Sequence, residues 1–320
     1  MALIDQVNAV TNAVYLPKLP QLFAGRNILQ SRAHKAGSKV QGGERIKQHL
    51  MYQNTKGGFY REYDTFNIDA EEQLTAAFWE WSFLEIPITI SRAEQLRNAG
   101  PAAVKSLMDA KVKGAVIRGS QLLAQALFGT GIDSSAAPNS IDNMLDNAAG
   151  TLSGTGVYGT IDRNGGNLWW EGNQLDFAGV AIDYGMLSDG RALVADGDIS
   201  PTIWMISNQG FNGYLKSQQA QQRYYKSSDM DSGFLTAEFD GKTIAADTYV
   251  PYSAGTSTVN RVYGINEEFF DMVTHQDENM RFEPFAKPVD QGAIVAHIMW
   301  AGGNTTSDPS RHVVIHDWIV

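Results

Sequence analysis

The sequence predicts an α+β fold in which helices and strands do not alternate in a regular βαβ order. The first observation is a long helical pattern from Pro101 to Phe128, in which apolar residues recur every three or four positions. The second is a hairpin-like pattern at residues 44–66 that has little apolar content with which to form its own core. The third is a series of short apolar runs separated by turn residues in the second half of the chain. The length of 320 residues predicts one or two domains.

Composition limits the classes to which the protein can belong. Hydrophobic residues make up 43% of the chain and charged residues 19%, which is typical of a folded globular protein. Cysteine is absent, which excludes disulfides and thiolate metal sites and is compatible with a reducing cytoplasm. The net charge of −10 argues against a basic shell that grips nucleic-acid phosphates. The sequence shows no secretion signal and no apolar run long enough for a bilayer, so we expect neither export nor a membrane partner.

The N-terminal region, residues 1–43, has little core-forming pattern and is predicted to be an arm. Leu3–Val14 could form a short helix, which Pro17 and Pro20 would end. Ser31–Lys39 carries several basic side chains and is predicted to be solvated, since such charge blocks are usually exposed. An arm of this kind can still dock on a neighbouring subunit.

Residues 44–66 are predicted to form an extended β-hairpin. One strand would run from Arg45 to Tyr52 and its partner from Phe59 to Phe66, with a link of turn residues, Asn54-Thr55-Lys56-Gly57-Gly58. Because an isolated hairpin is only marginally stable, we expect this one to lie on another surface.

Residues 67–137 are predicted to contain a strand, a short helix and then the long helix. The apolar run from Phe78 to Ile90 predicts a buried strand, in which Pro87 favours an edge or a bulge. Ser91 is a candidate N-cap for the short helix. The long helix, Pro101–Phe128, begins with a proline that suits a first turn, and it would measure roughly 40 Å at about 1.5 Å per residue.

A glycine-rich passage after the long helix has the spacing of a dinucleotide-binding fingerprint, Gly154-Thr155-Gly156-Val157-Tyr158-Gly159. That fingerprint requires a buried strand before its first glycine and a helix after its last one. Asp146–Gly150, which precedes it, does not favour a strand, and Ile161–Gly166, which follows it, does not favour a helix. We therefore interpret the passage as a loop.

Further along the chain, the pattern predicts two helices and several strands. One helix would cover Leu175–Leu187 and end at Asp189-Gly190, and a polar helix would run from Gly210 to Arg223. The strands would comprise one run buried on both faces, a hairpin around Asp240-Gly241, two short apolar segments, and two C-terminal strands paired through a turn at Gly302-Gly303. In that order they are Pro201–Ser207, Phe234–Phe239 with Thr243–Ala246, Val262–Ile265, Phe269–Val273, and Ala293–Trp300 with Val313–Val320.

The sequence predicts no catalytic, cofactor-binding or metal site. His312 and His316 have a spacing that can hold zinc on a helix, but the residues between them favour a strand, on which the two rings would be roughly 13 Å apart. Asp229 and Asp231 are too few for a calcium loop. The sequon Asn304-Thr305-Thr306 is interpreted as a plain turn. Since the sequence shows no nucleophile elbow, P-loop or nucleophilic cysteine, we do not predict an enzyme.

Several short motifs follow the arm, the hairpin and the long helix in a fixed order. They are Gly159-Thr160-Ile161-Asp162-Arg163 with Trp169-Trp170, Trp204 with Ser207-Asn208-Gln209, Arg223-Tyr224, Gly233-Phe234, Phe239-Asp240-Gly241-Lys242, Asp247 with Val250-Pro251, and Tyr263-Gly264-Ile265-Asn266. Together with the elements before them, these motifs resemble one branch of the major capsid proteins of tailed bacteriophages, which have the HK97-type fold. The resemblance covers the chain from about Val40 onward, and the shared order makes it fairly specific.

The resemblance implies a part for each region of the chain. Residues 1–43 would be an N-terminal arm that reaches under neighbouring subunits, and residues 44–66 would be an extended loop that lies across the adjacent subunit. Residues 67–137 would form a peripheral domain with the long helix as its spine, and residues 138–265 an axial domain. Residues 266–320 would return to the peripheral domain and supply C-terminal strands.

The resemblance also implies partners and a location. The chain would assemble with itself into pentamers and hexamers of an icosahedral shell, in the host bacterial cytoplasm, and become part of the virion. The shell would enclose double-stranded DNA without sequence-specific binding, with a separate scaffolding protein, a portal and possible decoration proteins as partners. No cofactor is implied. Some family members crosslink subunits through a lysine and an asparagine, but nothing marks Lys56 as reactive, so that chemistry is not carried over.

Two alternatives remain open from the sequence. The first keeps the fold and changes the role, to an encapsulin-type shell around a cargo enzyme. The second is a soluble enzyme of mixed fold with an unrecognised pocket, which would be a compact monomer or small oligomer with residues 44–66 folded onto its own chain.

Overall fold

The structure is a computed structural model that describes residues 27–53, 55–64, 72–97, 101–130, 136–218, 236–254, 256–288 and 292–320. Its α-helices are α1 Ile28–Ala36, α2 Arg92–Arg97, α3 Pro101–Phe128, α4 Ile141–Met144, α5 Tyr184–Val194 and α6 Asn208–Ser217. Its strands are β1 Lys39–Val40, β2 Ile46–Met51, β3 Leu74–Trp79, β4 Ser82–Ser91, β5 Val157–Tyr158, β6 Ile161–Asp162, β7 Asn173–Asp176, β8 Ile203–Ser207, β9 Thr236–Phe239, β10 Lys242–Asp247, β11 Arg261–Ile265, β12 Phe270–His275, β13 Arg281–Ala286, β14 Ala293–Thr306 and β15 Val313–His316.

Two larger sheets organise these strands. The five-stranded sheet has the order β1–β12–β14–β13, and β4 pairs with β14 along Ala293–Gly302. The six-stranded sheet has the order β7–β15–β11–β8–β10–β9, in which β7 and β15 are parallel, as are β8 and β10. The α+β class predicted from the sequence is therefore correct, because the helices do not alternate with parallel strands.

Helix α3 begins and ends where the sequence predicts, and it packs on the five-stranded sheet. Its residues Met108, Val112 and Leu123 belong to one buried cluster with Ile88 of β4 and Ile298 of β14. The helix ends because the next residue, Gly129, has a φ of +65° that a side chain would disfavour.

The strand before the long helix also follows the prediction. In β4, Ile86, Ile88 and Ile90 are buried while the residues between them are exposed, and Pro87 lies on this outer face. Within the described residues β4 pairs only with β14, so Pro87 occupies an edge strand, where its missing N–H breaks no ladder. Ser91 caps α2 as predicted, through a hydrogen bond of 3.2 Å from the Glu94 N–H to the Ser91 hydroxyl.

The six-stranded sheet is buried on both faces at its centre. Every residue of β8, β11 and β15 is buried. Alternate residues of β8 belong to different clusters: Met205 packs with the end of α3, and Trp204 packs with the helices α5 and α6. The predicted two-sided burial of Pro201–Ser207 is thus confirmed.

The hairpin around Asp240-Gly241 is confirmed. Strands β9 and β10 pair antiparallel, and the two turn residues have φ values of +51° and +71°. Positive φ at both central residues matches the right-handed twist of the flanking strands. The polar helix predicted from Gly210 to Arg223 is observed as α6, which begins earlier, and the rest of that stretch lies outside the described residues.

The partner strand predicted for the first hairpin is wrong. Strand β2 pairs with β3, Leu74–Trp79, in full antiparallel register, and the predicted partner Phe59–Phe66 is not a strand in its described part. The physical reason is burial: β3 places Ala77 and Trp79 inside the protein, whereas Phe59 is fully exposed. The connection between the strands is therefore much longer than the predicted turn.

The solvated-arm prediction is wrong for the start of the described chain. Helix α1 covers Ile28–Ala36, and its residues Ile28, Leu29 and Ala33 are buried. Arg32 forms an ion pair with Glu267 at 3.0 Å, so part of the basic run is neutralised. The predicted helix Leu3–Val14 lies outside the described residues.

The helix predicted at Leu175–Leu187 is also wrong. Leu175 lies in β7, paired in register with Ile315, and helix α5 begins only after Asp183, whose carboxylate accepts the Met186 N–H at 2.9 Å. Gly190 does not stop this helix. A Cβ there would lie 3.2 Å from both Ile315 and Trp204 side chains, so the glycine lets the helix approach the sheet closely.

The predicted pairing of the two C-terminal strands is wrong. Strand β14 continues through the expected turn at Gly302-Gly303 and pairs with β4, β12 and β13, while β15 lies in the other sheet between β7 and β11. A Cβ at Gly302 would lie 2.5 Å from the Val273 carbonyl oxygen, so glycine here serves strand packing and not a turn. The sequon Asn304-Thr305-Thr306 is likewise strand and not turn.

The glycine-rich passage contains a short hairpin and not a plain loop. Strands β5 and β6 pair across Gly159-Thr160, whose φ values of +59° and +64° define a tight turn. A 3₁₀ turn over Arg163–Gly165 follows it. This order differs from the strand, glycine turn and helix that the dinucleotide fingerprint requires.

Candidate functional site

Among the described residues, the most exposed large apolar side chains are at the far end of the first hairpin. We call the described residues 52, 53, 55–64, 72 and 73, which connect β2 and β3, the hairpin loop. In it Phe59 is fully exposed and Tyr63 is 92% exposed, and Met51 and Leu74 at the adjoining strand ends are 69% and 74% exposed. Large apolar side chains in such a concentration usually mark a surface that another molecule covers.

The base of the same hairpin is fixed firmly to the rest of the chain. Ile46, Leu50, Ala77 and Trp79 are buried, and the Trp79 ring lies edge-on to Tyr158 with 5.4 Å between centroids. The Phe78 N–H donates to the Gly159 carbonyl oxygen at 3.0 Å. A Cβ on Gly159 would lie 2.9 Å from Ala77 and Trp79, so the turn of the β5–β6 hairpin supports the base by close contact.

A second apolar surface lies between α3 and the edge strand β4. A groove of about 390 Å³ is lined by Leu122 and Ala126 of the helix, Leu84 of β4, Pro138 and Trp300. Phe83 stands beside it with 73% of its side chain exposed. The apolar run from Phe78 to Ile90 predicts a buried strand, but the alternation of β4 places Phe83 on its outer face.

Buried charges hold the segment between α3 and β7 in place. Arg163 is fully buried, and its guanidinium donates to the carbonyl oxygens of Met144 at 2.8 Å and Trp170 at 2.9 Å. The Asp146 carboxylate accepts from the backbone N–H groups of Leu152 and Ser153 at 3.0 and 2.7 Å. Although burial opposes it, this hydrogen bonding holds the pKa of Asp146 below its usual range. Both groups are used for structure.

A further buried network joins that segment to the six-stranded sheet. The Tyr263 hydroxyl donates to the Asp142 carboxylate at 2.7 Å, and Arg261 Nε lies 3.8 Å from the same carboxylate. Burial raises the pKa of Asp142, while the positive charge of Arg261 acts in the opposite direction. Asp142 is partly exposed and lines a neighbouring pocket of about 380 Å³, but both of its interactions, with Tyr263 and with Arg261, join segments of the fold.

The two histidines singled out by spacing are not brought together. His312 precedes β15 and is fully buried, with Nδ1 accepting the Asn266 N–H at 3.0 Å and Nε2 3.1 Å from the Thr306 hydroxyl. Burial lowers the pKa of His312 to about 3, so the ring is neutral at physiological pH. His316 lies at the other end of the strand, as the strand geometry predicts.

The other residues named from the sequence have simpler positions. Lys56 is exposed in the hairpin loop. The Asn304 amide donates to the Asn139 carbonyl oxygen at 3.0 Å and is nearly buried. Asp229 and Asp231 lie outside the described residues. Among the helices described, none combines the length and the apolar character that a bilayer crossing needs.

No family model and no curated protein matches the sequence. Solved structures match over almost the whole chain. The capsid asymmetric unit of cyanophage A-1(L) aligns with a TM-score of 0.68 at 12% identity, covering 96% of this chain and 94% of the other. The capsid of a native GTA particle aligns at 0.63 and 11% identity, covering 91% of each chain. The encapsulin of a holo-SrpI complex from Synechococcus elongatus aligns at 0.50 and 8% identity, covering 88% of this chain and 84% of the other.

These alignments define the class of fold as that of shell-forming subunits. The chain has the HK97-like fold of tailed-phage capsid proteins, as its motif order predicted. At identities this low the comparison concerns the fold, so the role of the chain must be argued from its own surfaces.

Proposed function

We propose that this chain is the major capsid subunit of a tailed phage, a structural protein and not an enzyme, which assembles with itself into an icosahedral head shell around double-stranded DNA. The observation that carries the proposal is the hairpin, whose base is buried among Trp79, Tyr158 and Gly159 while its loop exposes Phe59 and Tyr63. A monomer gains nothing from holding aromatic side chains away from its core. A shell supplies many identical neighbours that can cover them.

The regions of the proposed subunit follow from the same reasoning. We assign residues 1–43 to an N-terminal arm and residues 44–66 to the extended loop, which the pairing of β2 with β3 lengthens toward Trp79. Residues 67–137 and 266–320 supply α3 and four strands of the five-stranded sheet, which suits a peripheral domain, and the fifth strand, β1, comes from the end of the proposed arm. Residues 138–265 supply most of the six-stranded sheet and suit an axial domain, although β15 comes from the C-terminal region.

The encapsulin alternative is supported less well than the phage head. The TM-scores are 0.68 and 0.63 for the cyanophage and GTA capsids, against 0.50 for the encapsulin. The enzyme alternative has less support in the described residues, where Arg163 and His312 are buried, and both they and the partly exposed Asp142 form hydrogen bonds that hold the fold. A separate scaffolding protein, a portal and decoration proteins remain part of the proposal, as does assembly in the bacterial cytoplasm.

The acidic charge of the chain agrees with a wall that encloses DNA without adhering to it. The net charge is −10, and non-specific affinity for DNA comes from Lys and Arg that neutralise phosphates. Each contact between subunits can be modest, because a subunit held on several sides leaves only when all its contacts release together.

The test is electron microscopy of the protein expressed alone and with its neighbouring genes, combined with substitutions in the hairpin loop. We expect closed shells, tubes or free pentamers and hexamers from the natural sequence. We expect Phe59→Ser with Tyr63→Ser to abolish assembly, while the matched pair Phe59→Leu with Tyr63→Phe keeps large apolar side chains and assembles.

Two outcomes would contradict the proposal. A monomer or dimer under every condition would contradict assembly into a shell. Normal shells from the double-serine variant would contradict the proposed role of the hairpin loop. Circular dichroism of both variants checks that the subunit is folded, which we expect because Phe59 and Tyr63 lie outside the buried clusters. Nuclease-resistant DNA inside the particles distinguishes a phage head from a cargo compartment.

A further inference from the structure

Three potential metal ligands meet where the parallel strands β7 and β15 end. His316 is the last residue of β15 and stands in register with Asp176, the last residue of β7. Asp317 follows directly in the chain. One ligand atom from each of the three side chains lies within 4.8 Å of the other two. Neither strand alone creates this group, since it depends on the parallel pairing of two segments about 140 residues apart in sequence.

Two of the three side chains have polar atoms that the protein leaves without a partner. His316 is only 8% exposed, and within the described residues its ring makes no hydrogen bond. Asp317 Oδ1 is buried and accepts no hydrogen bond in the same part of the chain. Buried polar atoms are nearly always satisfied, so the unpartnered Asp317 Oδ1, in a group whose ligand atoms lie within 4.8 Å of one another, indicates a ligand that satisfies it.

The third side chain leaves the group open to solvent. Asp176 is exposed, and its Oδ1 accepts the Ala178 N–H at 2.8 Å, which leaves its second oxygen available. An ion can therefore enter from outside without a change in the fold.

The backbone around the group is fixed by bonds that cross between the two segments. The Phe177 N–H donates to the His316 carbonyl oxygen at 3.1 Å, and the Gly179 N–H donates to that of Asp317. Further along the same two segments, the Ile182 N–H donates to the Ile319 carbonyl oxygen at 2.9 Å. The three side chains are thus carried on a preorganised frame and need only small rotations to close on an ion.

The local charges favour a cation. Asp176 and Asp317 contribute two negative charges, and the nearby positive charge of Arg261 is shared with Asp142 at 3.8 Å. A neutral imidazole carries a nitrogen lone pair that can coordinate a metal ion.

We propose that Asp176, His316 and Asp317 bind a divalent transition-metal ion such as Zn²⁺, with water completing its coordination. One imidazole nitrogen with two carboxylates suits Zn²⁺ or Mn²⁺, whereas Ca²⁺ and Mg²⁺ prefer oxygen ligands alone. The inference departs from the sequence-based expectation of no metal. The spacing of His312 and His316 in the sequence does not reveal this group of ligands. To predict it, one would have to know that β15 pairs with β7. The ion would fasten β7 to β15 at the edge of the six-stranded sheet, whatever the role of the protein.

The test is binding of Zn²⁺ to the purified full chain, by isothermal titration calorimetry in a large excess of Mg²⁺, with Co²⁺ absorption to report a nitrogen ligand. We expect one Zn²⁺ per chain. Asp176→Asn and Asp317→Asn should each weaken binding by roughly tenfold or more, because tenfold requires only about 1.4 kcal/mol. Asp198→Asn, which also removes an exposed carboxylate, should leave the affinity unchanged.

Absence of stoichiometric binding would overturn the proposal, and so would binding that neither Asp176→Asn nor Asp317→Asn weakens. Asp176 is exposed, so its variant is expected to fold, and circular dichroism verifies this before titration. The measurement does not require a shell, so failure of the metal site and failure of the capsid role are told apart.

Discussion

At Asp247, burial has a larger effect on the pKa of the carboxyl group than hydrogen bonding has. Its carboxylate is 6% exposed and accepts the Tyr249 N–H at 2.8 Å, which favours the charged form. Desolvation is the larger effect and raises the pKa of Asp247 to about 6. The folded protein therefore holds this group ionised at pH 7 at a cost in stability that the unfolded chain does not bear.

We predict that Asp247→Asn stabilises the subunit at pH 7, by up to about 3 kcal/mol, since the pKa difference of about two units is worth about 1.4 kcal/mol per unit. Asparagine keeps an oxygen that accepts the Tyr249 N–H and carries no charge. Between about pH 4 and 6 the folded Asp247 holds a proton that the unfolded one has lost. The natural protein therefore gains stability relative to the variant as the pH falls, and the difference vanishes near pH 4.

The measurement is chemical denaturation of both proteins at pH 7, 6, 5 and 4. His312 acts in the opposite direction, because its folded pKa of about 3 lies below the usual value, so its contribution to stability is lost as the pH falls below about 6.5. Comparing the variant with the natural protein at each pH cancels His312. A destabilised variant at pH 7, or a difference that does not change with pH, would show that Asp247 is better solvated than its burial indicates.

Single residues were predictable where the chemistry is local. Ser91 was identified as a cap and Pro87 as an edge residue from their own hydrogen-bonding groups, and the structure confirms both. The sequence predicts a turn at Gly302, but the role of this glycine is set by the Val273 carbonyl oxygen on another strand. Nothing near Gly302 in the sequence carries that information.

The hairpin loop is the element on which the proposed function depends most directly. Its base is buried and its described residues 55–64 are all exposed, so the loop should be accessible to proteases only while no neighbour covers it. Lys56 and Arg61 place two trypsin sites within it.

We predict that trypsin cleaves the unassembled subunit first at Lys56 or Arg61, and that assembled particles resist cleavage there. Exposed backbone in a loop is cleaved far faster than backbone in a sheet, because the protease needs an extended and accessible segment. Mass spectrometry of the early fragments identifies the sites. As a control, Lys56→Gln with Arg61→Gln should delay the first cut in the unassembled protein. Equal cleavage in particles and in free subunits would contradict coverage by a neighbour.

Elements were predicted well when their pattern was long and self-contained. The bounds of α3 follow from a period repeated over seven or so turns and agree with the structure. The sequence pattern predicts a helix over Leu175–Leu187 because a local pattern carries no information about the pairing of Leu175 with the distant Ile315. The prediction of a strand at Phe59–Phe66 was wrong for a similar reason. Turn residues indicate that the chain turns, but they do not indicate how far along the chain the partner strand lies.

At the scale of the whole molecule, charge should regulate assembly. Each chain carries a net charge of −10, so identical chains repel one another over the Debye length, about 30 Å at 0.01 M salt and about 8 Å at 0.15 M. Apolar contacts such as those available to Phe59 and Tyr63 are not weakened by such modest salt.

We predict that raising the ionic strength from about 0.01 M to about 0.15 M speeds assembly and lowers the protein concentration at which it begins. Light scattering of purified subunits follows the rate, and electron microscopy verifies that the product is a shell. An uncharged osmolyte at equal osmolality serves as the control. Slower assembly at higher salt would show that contacts between opposite charges drive association.

The fold class was accessible from the sequence, and the sheet order was not. The order of the elements, together with the motifs from Gly159 to Asn266, resembles the HK97-like fold, and the structural alignments confirm that fold. The placement of β15 between β7 and β11 joins three distant stretches of chain, and no local pattern around Val313–His316 specifies it. The candidate metal ligands were missed for the same reason, because Asp176 meets His316 only through that placement.

The position of β15 also determines when the subunit can fold during its own synthesis. The six-stranded sheet has a gap between β7 and β11 until Val313–His316 has left the ribosome. Before that moment two strands present open edges, and open edges pair with whatever strand is near. On a messenger translated by several ribosomes at once, the nearest strand belongs to another nascent copy. Chaperone binding or wide ribosome spacing would keep unfinished chains apart until each copy can close its own sheet, and we expect either to reduce pairing between nascent copies.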